Sequence, residues 1–139
     1  MSDEERNVAT LKQAFQRWND EKAASYDFWL DLMADDVKFG SLGGGEKSIP
    51  FSAPRNAKKE VRGYFEGLTG DWTMRHYTAQ EFIAQGEVVV MRGHTAWTHK
   101  ATGKVGDTPT ACFFRMREGK IVEFFEFFDT AAVIAAATK

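Results

Sequence analysis

Apolar side chains return every three or four residues near the start of the chain, where Val8, Leu11, Ala14, Phe15 and Trp18 fall on one face of a helix. Ser2 followed by Glu5 is a capping-box pattern, so the first helix is expected over about residues 3 to 19. Trp29, Leu30, Leu32 and Met33 mark a second helix. It should stop at Asp35-Asp36, because Val37-Lys38-Phe39 favours an extended chain. Residues 40–55 carry four glycines and two prolines and are too long for a simple turn; loops of this kind often rim a site. Asn56 is placed to cap a third helix whose buried stripe is Val61, Tyr64, Phe65 and Leu68.

From Trp72 the period changes from 3.6 to 2. Strands are expected near 72–84, 87–99, 108–117 and 120–129, separated by turn residues at Gln85-Gly86, Thr102-Gly103 and Glu118-Gly119. Ala131 to Ala137 reads as a short terminal helix or a frayed tail. Helices followed by consecutive strands with short turns make an antiparallel sheet covered on one face, an α+β domain spanning residues 1–139.

At 139 residues the chain suffices for one domain and one core. Its 18 basic and 20 acidic residues leave a net charge of −2, without the positive excess that phosphate backbones or anionic lipids require, so neither nucleic acid nor a membrane is an expected partner. The acidic start Met1-Ser2-Asp3-Glu4-Glu5 is unlike an export signal, and a single cysteine, Cys112, forms no internal disulfide. A cytoplasmic location is expected. Three histidines and one cysteine show no zinc spacing, and no cofactor motif is present, so neither a metal nor a cofactor is expected. Gly43-Gly44-Gly45-Glu46-Lys47-Ser48 is not a phosphate loop, since Glu46 stands where glycine must precede the lysine.

Candidate chemistry lies where a strand carries an ionisable group on an apolar face, because a buried polar group needs a partner or a ligand. Alternation sets Trp72, Met74 and His76 on one face, with Thr73, Arg75 and Tyr77 on the other. In the following strand Val88, Val90, Arg92 and His94 share a face; in the last, Val122, Phe124, Glu126 and Phe128 do. If these faces line one concavity, Arg92, His94, Glu126 and His76 converge there. Glu126 would then be a general base, His94 or His76 the acid or oxyanion donor, and Arg92 the group that sets their charge. The competing reading is a structural Arg92–Glu126 ion pair with hydrogen-bonded core histidines. Asp129 stands equally well as the cap of the terminal helix.

The order and spacing of several segments resemble the SnoaL-like group of the nuclear transport factor 2-like superfamily. They are Met33-Ala34-Asp35-Asp36-Val37, Ile49-Pro50-Phe51, Gly119-Lys120-Ile121-Val122-Glu123 and Phe125-Glu126-Phe127-Phe128-Asp129-Thr130. The resemblance implies a cystatin-like cone, three N-terminal helices packed in a curved, mostly antiparallel sheet around a deep apolar pocket, with a homodimer formed through the sheet. Where ketosteroid isomerases carry an Asp base, a Tyr and a protonated Asp, this chain has Ser41, Phe15 and Cys112, so isomerisation by that route is not expected. Against limonene epoxide hydrolases, Arg92 and Glu126 match site residues, His94 replaces an acid, and Phe39 and Ser41 replace Tyr and Asn. Asp129 is the nearest counterpart of an acid–base Asp in the polyketide cyclases.

The expected function is a cofactor-independent isomerase, cyclase or hydratase acting on a small, apolar, oxygenated molecule. Phe39, Ser41, Tyr64, Trp72, Met74, Cys112, Phe128 and Asp129 are the expected substrate contacts. The alternative is a non-catalytic ligand-binding or dimerisation module of the same fold.

Overall fold

The capping box at the N-terminus forms. In the computed structural model, which describes residues 1–139, the Ser2 hydroxyl accepts from the Glu5 N–H and the Glu5 carboxylate accepts from the Ser2 N–H, opening helix α1 over Asp3–Asp20. Asp3, Glu4 and Glu5 fill its first turn, where acidic groups meet the positive end of the helix dipole. Leu11, Ala14, Phe15 and Trp18 are buried on its inner face, as the spacing requires.

The second helix is shorter than its apolar set implies. α2 is one turn, Asp27–Asp31, and strand β1 already runs from Met33 to Ser41. Pairing explains the difference: Met33 pairs with Ile121 and Lys38 with Glu123, so the sheet takes the backbone groups a longer helix would have used. Asp35 and Asp36 stand exposed in the bulge between those pairings. The glycine-rich connection that follows folds inward. Ser52 is fully buried, donating to the Ile49 carbonyl at 2.7 Å and accepting from the Gly45 N–H at 3.0 Å. A 3-10 turn over Pro50–Ser52 carries Phe51 into the interior. Asn56 does not cap helix α3, Lys58–Asp71; Ala57 holds that position, and the Asn56 N–H donates to the Glu60 carboxylate instead.

Four long strands complete the chain: β2 Trp72–Gln85, β3 Val88–His99, β4 Val105–Arg117 and β5 Lys120–Phe128, followed by helix α4, Thr130–Ala136. The spatial order is β1-β5-β4-β3-β2, antiparallel except for the β1–β5 pair. α1 packs on β2 and β3, α3 on β1 and β2, and α4 on β4, enclosing one apolar core. The expected α+β architecture is therefore the observed one.

Two irregularities in β2 decide which side chains reach that core. The pairing with β3 slips between Met74 and His76 and again between Ala79 and Glu81. A slip of this kind adds one unpaired residue and turns every later side chain to the opposite face. Trp72 and Met74 are buried, His76 is not, and Tyr77 is. No helix is long and apolar enough to cross a membrane.

Candidate functional site

Between the helices and the inner face of the sheet lies a cavity of about 90 Å³. Its wall includes Phe15 and Trp18 from α1, Tyr64 and Phe65 from α3, Trp72 and Tyr77 from β2, Thr95 and Trp97 from β3, Thr108 and Phe114 from β4, and Phe124, Glu126 and Phe128 from β5. Strand register assembles the polar strip of this wall. Ser41 pairs with Glu126 and Glu126 with Cys112, while Thr110 pairs with Phe128 two residues along.

Glu126 is its chemical centre. The Tyr77 hydroxyl donates to Glu126 Oε2 at 2.5 Å and the Thr110 hydroxyl to the same oxygen at 2.7 Å. Cys112 Sγ lies 3.2 Å from the Tyr77 oxygen; because Tyr77 spends its only proton on Glu126, the thiol is the donor there. Every other hydroxyl on the wall is also committed. Tyr64 donates to Ser41 Oγ at 2.9 Å, Thr95 to the His76 carbonyl at 2.9 Å, and Thr108 to the Pro109 carbonyl at 2.7 Å. Glu126 Oε1 alone receives no hydroxyl or N–H donor. Oε2 is thus the anchored oxygen and Oε1 the one left to meet a ligand.

Burial raises the Glu126 pKa above the usual carboxylate value, and its hydrogen bonds from Tyr77 and Thr110 only partly offset that. Although the residue keeps partial exposure through the cavity, the carboxyl group is enclosed by protein. Burial also pushes up Tyr64, Tyr77 and Cys112, each helped by the adjacent Glu126 charge, so all three stay neutral where Glu126 titrates. A consequence for stability follows. Above the ordinary carboxyl value near 4.5 the unfolded chain releases the Glu126 proton while the folded chain holds it, so wild-type stability falls as pH rises towards the elevated folded value. Glu126→Gln keeps an acceptor for Tyr77 and Thr110 and has no proton to lose. Its stability relative to wild type should therefore climb over that range in paired urea titrations; a difference independent of pH would show that Glu126 is ionised in the folded state throughout.

The expected convergence of four ionisable groups does not occur. Arg92, His94 and His76 lie on the outer face of the sheet, away from Glu126. Arg92 bonds Glu81 at 3.0 Å and Gln80 at 3.3 Å. His94 Nε2 is 2.7 Å from Asp107, and the His94 ring stacks on His76 at 5.3 Å between centroids. For His76 the cause is the first slip of β2; for Arg92 and His94 it is the parity of β3, whose inward residues are Val89, Met91, Gly93, Thr95 and Trp97. The uniformly apolar run Val88 to Met91 carries no parity information.

Among the expected contacts, Phe39, Tyr64, Trp72 and Phe128 are on the wall. Ser41, Met74 and Cys112 are buried beside it without lining it. Asp129 is the N-cap of α4, its carboxylate accepting from the Ala132 N–H at 3.1 Å. Tyr77 and Thr110, the two residues that hold Glu126, went unforeseen. For Thr110 the signal exists in the strict alternation Thr108, Thr110, Cys112, Phe114, Met116, all buried. No three side chains of the types that ligate metals are grouped to hold an ion.

A helix-filled cone whose sheet buries one carboxyl group in an aromatic cavity is the nuclear transport factor 2-like fold. The SnoaL-like domain model matches residues 11–124, and the chain belongs to that family. Among solved structures, a nuclear transport factor 2-like protein of unknown function from Burkholderia pseudomallei is similar over all of both chains, with 24% identity and a TM-score of 0.81. A protein from Jannaschia sp. assigned as a SnoaL-like polyketide cyclase is 18% identical, covering 99% of this chain and 95% of that one, with a TM-score of 0.76. A hypothetical protein with a ketosteroid isomerase-like fold from Catenulispora acidiphila, in complex with trimethylamine, is 15% identical over 86% and 88% of the two chains, with a TM-score of 0.71. At these identities the likeness is one of fold. No curated protein matches the sequence.

Proposed function

We propose that the protein is a cofactor-independent acid–base enzyme of the isomerase, cyclase or hydratase kind, with Glu126 as the group that takes and returns the proton. The observation that carries this reading is the split carboxyl: Oε2 held by Tyr77 and Thr110, Oε1 free beside an apolar cavity. Burial makes Glu126 a stronger base than a solvated carboxylate once it is ionised, and keeps it a proton donor to higher pH than a solvated carboxyl group. A substrate C–H placed at Oε1 gives up its proton there. The electron pair moves to the substrate's own oxygen, and the same carboxyl group returns the proton at that carbon or another. Tyr64, whose proton goes to Ser41 Oγ in the free protein, is the donor we assign to that oxygen once a bound substrate displaces that bond. The trimethylamine held by one structural neighbour supports a small ligand.

The histidines and Arg92 have no part in this scheme, because the sheet separates them from Glu126. Their dispersal also favours the second reading, a pocket that binds without reacting, since the wall keeps a single acidic group and no basic one. The outer face supports pairing with a second copy. There Phe125 and Phe127 meet edge to face at 4.9 Å, and Phe127 is 46% exposed, an apolar patch that a partner would cover.

Exchange of the α-hydrogens of cyclohexanone in D2O, followed by NMR, separates catalysis from binding. Wild type should speed the exchange over Glu126→Gln by about tenfold or more, with a rate that rises as pH passes the Glu126 pKa. Equal rates in the two proteins would leave only the binding module.

A further inference from the structure

The wall of the cavity carries an acid and no base. No Lys, Arg or His lies on it, and Glu126 takes part in no ion pair. Arg92 and Arg115 are committed elsewhere, to Glu81 and Glu123, and Arg55, the basic side chain beside Tyr64, donates to the Phe51 carbonyl at 3.3 Å. A carboxyl group kept from water without a counter-charge is costly, and chains ordinarily bury one only with a partner. Here no wall residue supplies one, and the carboxyl group rests on its own proton and on the hydrogen bonds from Tyr77 and Thr110 until a cation enters.

The rest of the wall favours the same sign of charge. Thirteen of its twenty residues are Phe, Tyr or Trp. Aromatic faces carry negative electrostatic potential and attract cations, most strongly when water is excluded. A neutral oxygenated ligand would draw one hydrogen bond from this arrangement. An ammonium group would draw a charge-assisted contact with Oε1 and the attraction of the surrounding rings. The cavity's roughly 90 Å³ suits a compact head group, not an extended chain.

We propose that this cavity takes a compact organic ammonium, a tertiary or quaternary amine, with Glu126 as its counter-ion and the aromatic wall as its cage. The inference rests on Glu126 Oε1 being the atom that meets the ligand, and it adds the ligand's charge. The proton balance is defined in both cases. A tertiary amine entering as free base takes the Glu126 proton onto nitrogen, leaving carboxylate and ammonium together. A quaternary amine binds only after that proton has left to solvent. The groups facing Glu126 are Tyr77 from β2, Cys112 from β4 and Tyr64 from α3, all held neutral by burial, while α1 presents only Phe15 and Trp18. The pH dependence of quaternary amine binding therefore reports Glu126 alone.

NMR titration of the wild-type protein with tetramethylammonium and with tert-butanol, a neutral molecule of the same shape, tests this directly. Tetramethylammonium should bind at least about tenfold more tightly, the margin expected of a desolvated cation–π cage with a carboxylate. Its affinity should rise with pH until Glu126 is ionised, and the preference should vanish in Glu126→Gln. If tert-butanol binds as well or better, or if neither shifts the cavity resonances, the ammonium assignment fails. Because cyclohexanone exchange is read separately, that failure leaves the acid–base reading standing. Ammonium binding without Glu126-dependent exchange would instead retain the cage and remove the catalysis.

Discussion

Gly93→Ala is expected to lower stability by about 3 kcal/mol or more, a drop of roughly 10 °C in melting temperature for a chain of this size. A Cβ at this position would lie 2.1 Å from the Thr78 carbonyl oxygen, 3.1 Å from the carbonyl carbon and 3.0 Å from Met91 Sδ. The first two contacts are backbone and cannot rotate aside. Gly93 pairs with Ala79, immediately before the second slip of β2, where the bulged strand crosses close over its neighbour. Relief of the clash would require β2 to move, and with it the inward turn of Tyr77, so the variant should also lose its grip on Glu126. Gly70→Ala is the matched control: it sits in α3 with nothing within 4 Å of the added methyl and should gain about 0.5–1 kcal/mol from helix propensity. Thermal unfolding of the pair decides the matter. A Gly93→Ala protein as stable as wild type would mean that the close crossing of β2 over β3 is absent.

Phe114→Ala should cost about 3–5 kcal/mol. Phe114 has no exposed surface and stands where α1 and α2 meet the sheet floor. Its ring stacks on Trp29 at 6.2 Å and meets Phe15 and Phe124 edge-on at 5.9 and 5.1 Å. Removing it forfeits the transfer of a large apolar side chain from water and leaves a void that three other aromatic rings are too rigid to fill. Because Phe114 is also part of the cavity wall, that void opens into the existing cavity. Benzene should then bind the variant and restore part of the loss, more at higher concentration, as a ligand specific to the folded state must. Urea unfolding with and without benzene reads both effects; a loss below about 1 kcal/mol would mean that the core collapses around the site.

Much of the architecture is visible in spacing alone. The helical stripe of α1, the strict alternation of β4 and the turn residues at Gln85-Gly86 and Glu118-Gly119 lead to the same elements in the chain and in space. Glu126 is legible because its strand alternates regularly around it, with Phe124 and Phe128 on the same face. Tyr77 is not, although it lies one residue from His76, and Arg92 and His94 mislead. Alternation has a period of two, so one inserted residue exchanges inside for outside, and a run of valines tells neither from the other.

Composition and periodicity determined that this chain would make three helical segments and a largely antiparallel sheet around an aromatic core, because those patterns depend on near neighbours. Only the folded state decided which ionisable groups share the interior. That choice rests on how β2 registers against β3 and β4 against β5, pairings made between distant segments, where a slip in β2 turned Tyr77 inward and His76 out while the parity of β3 set Arg92 and His94 on the outer face.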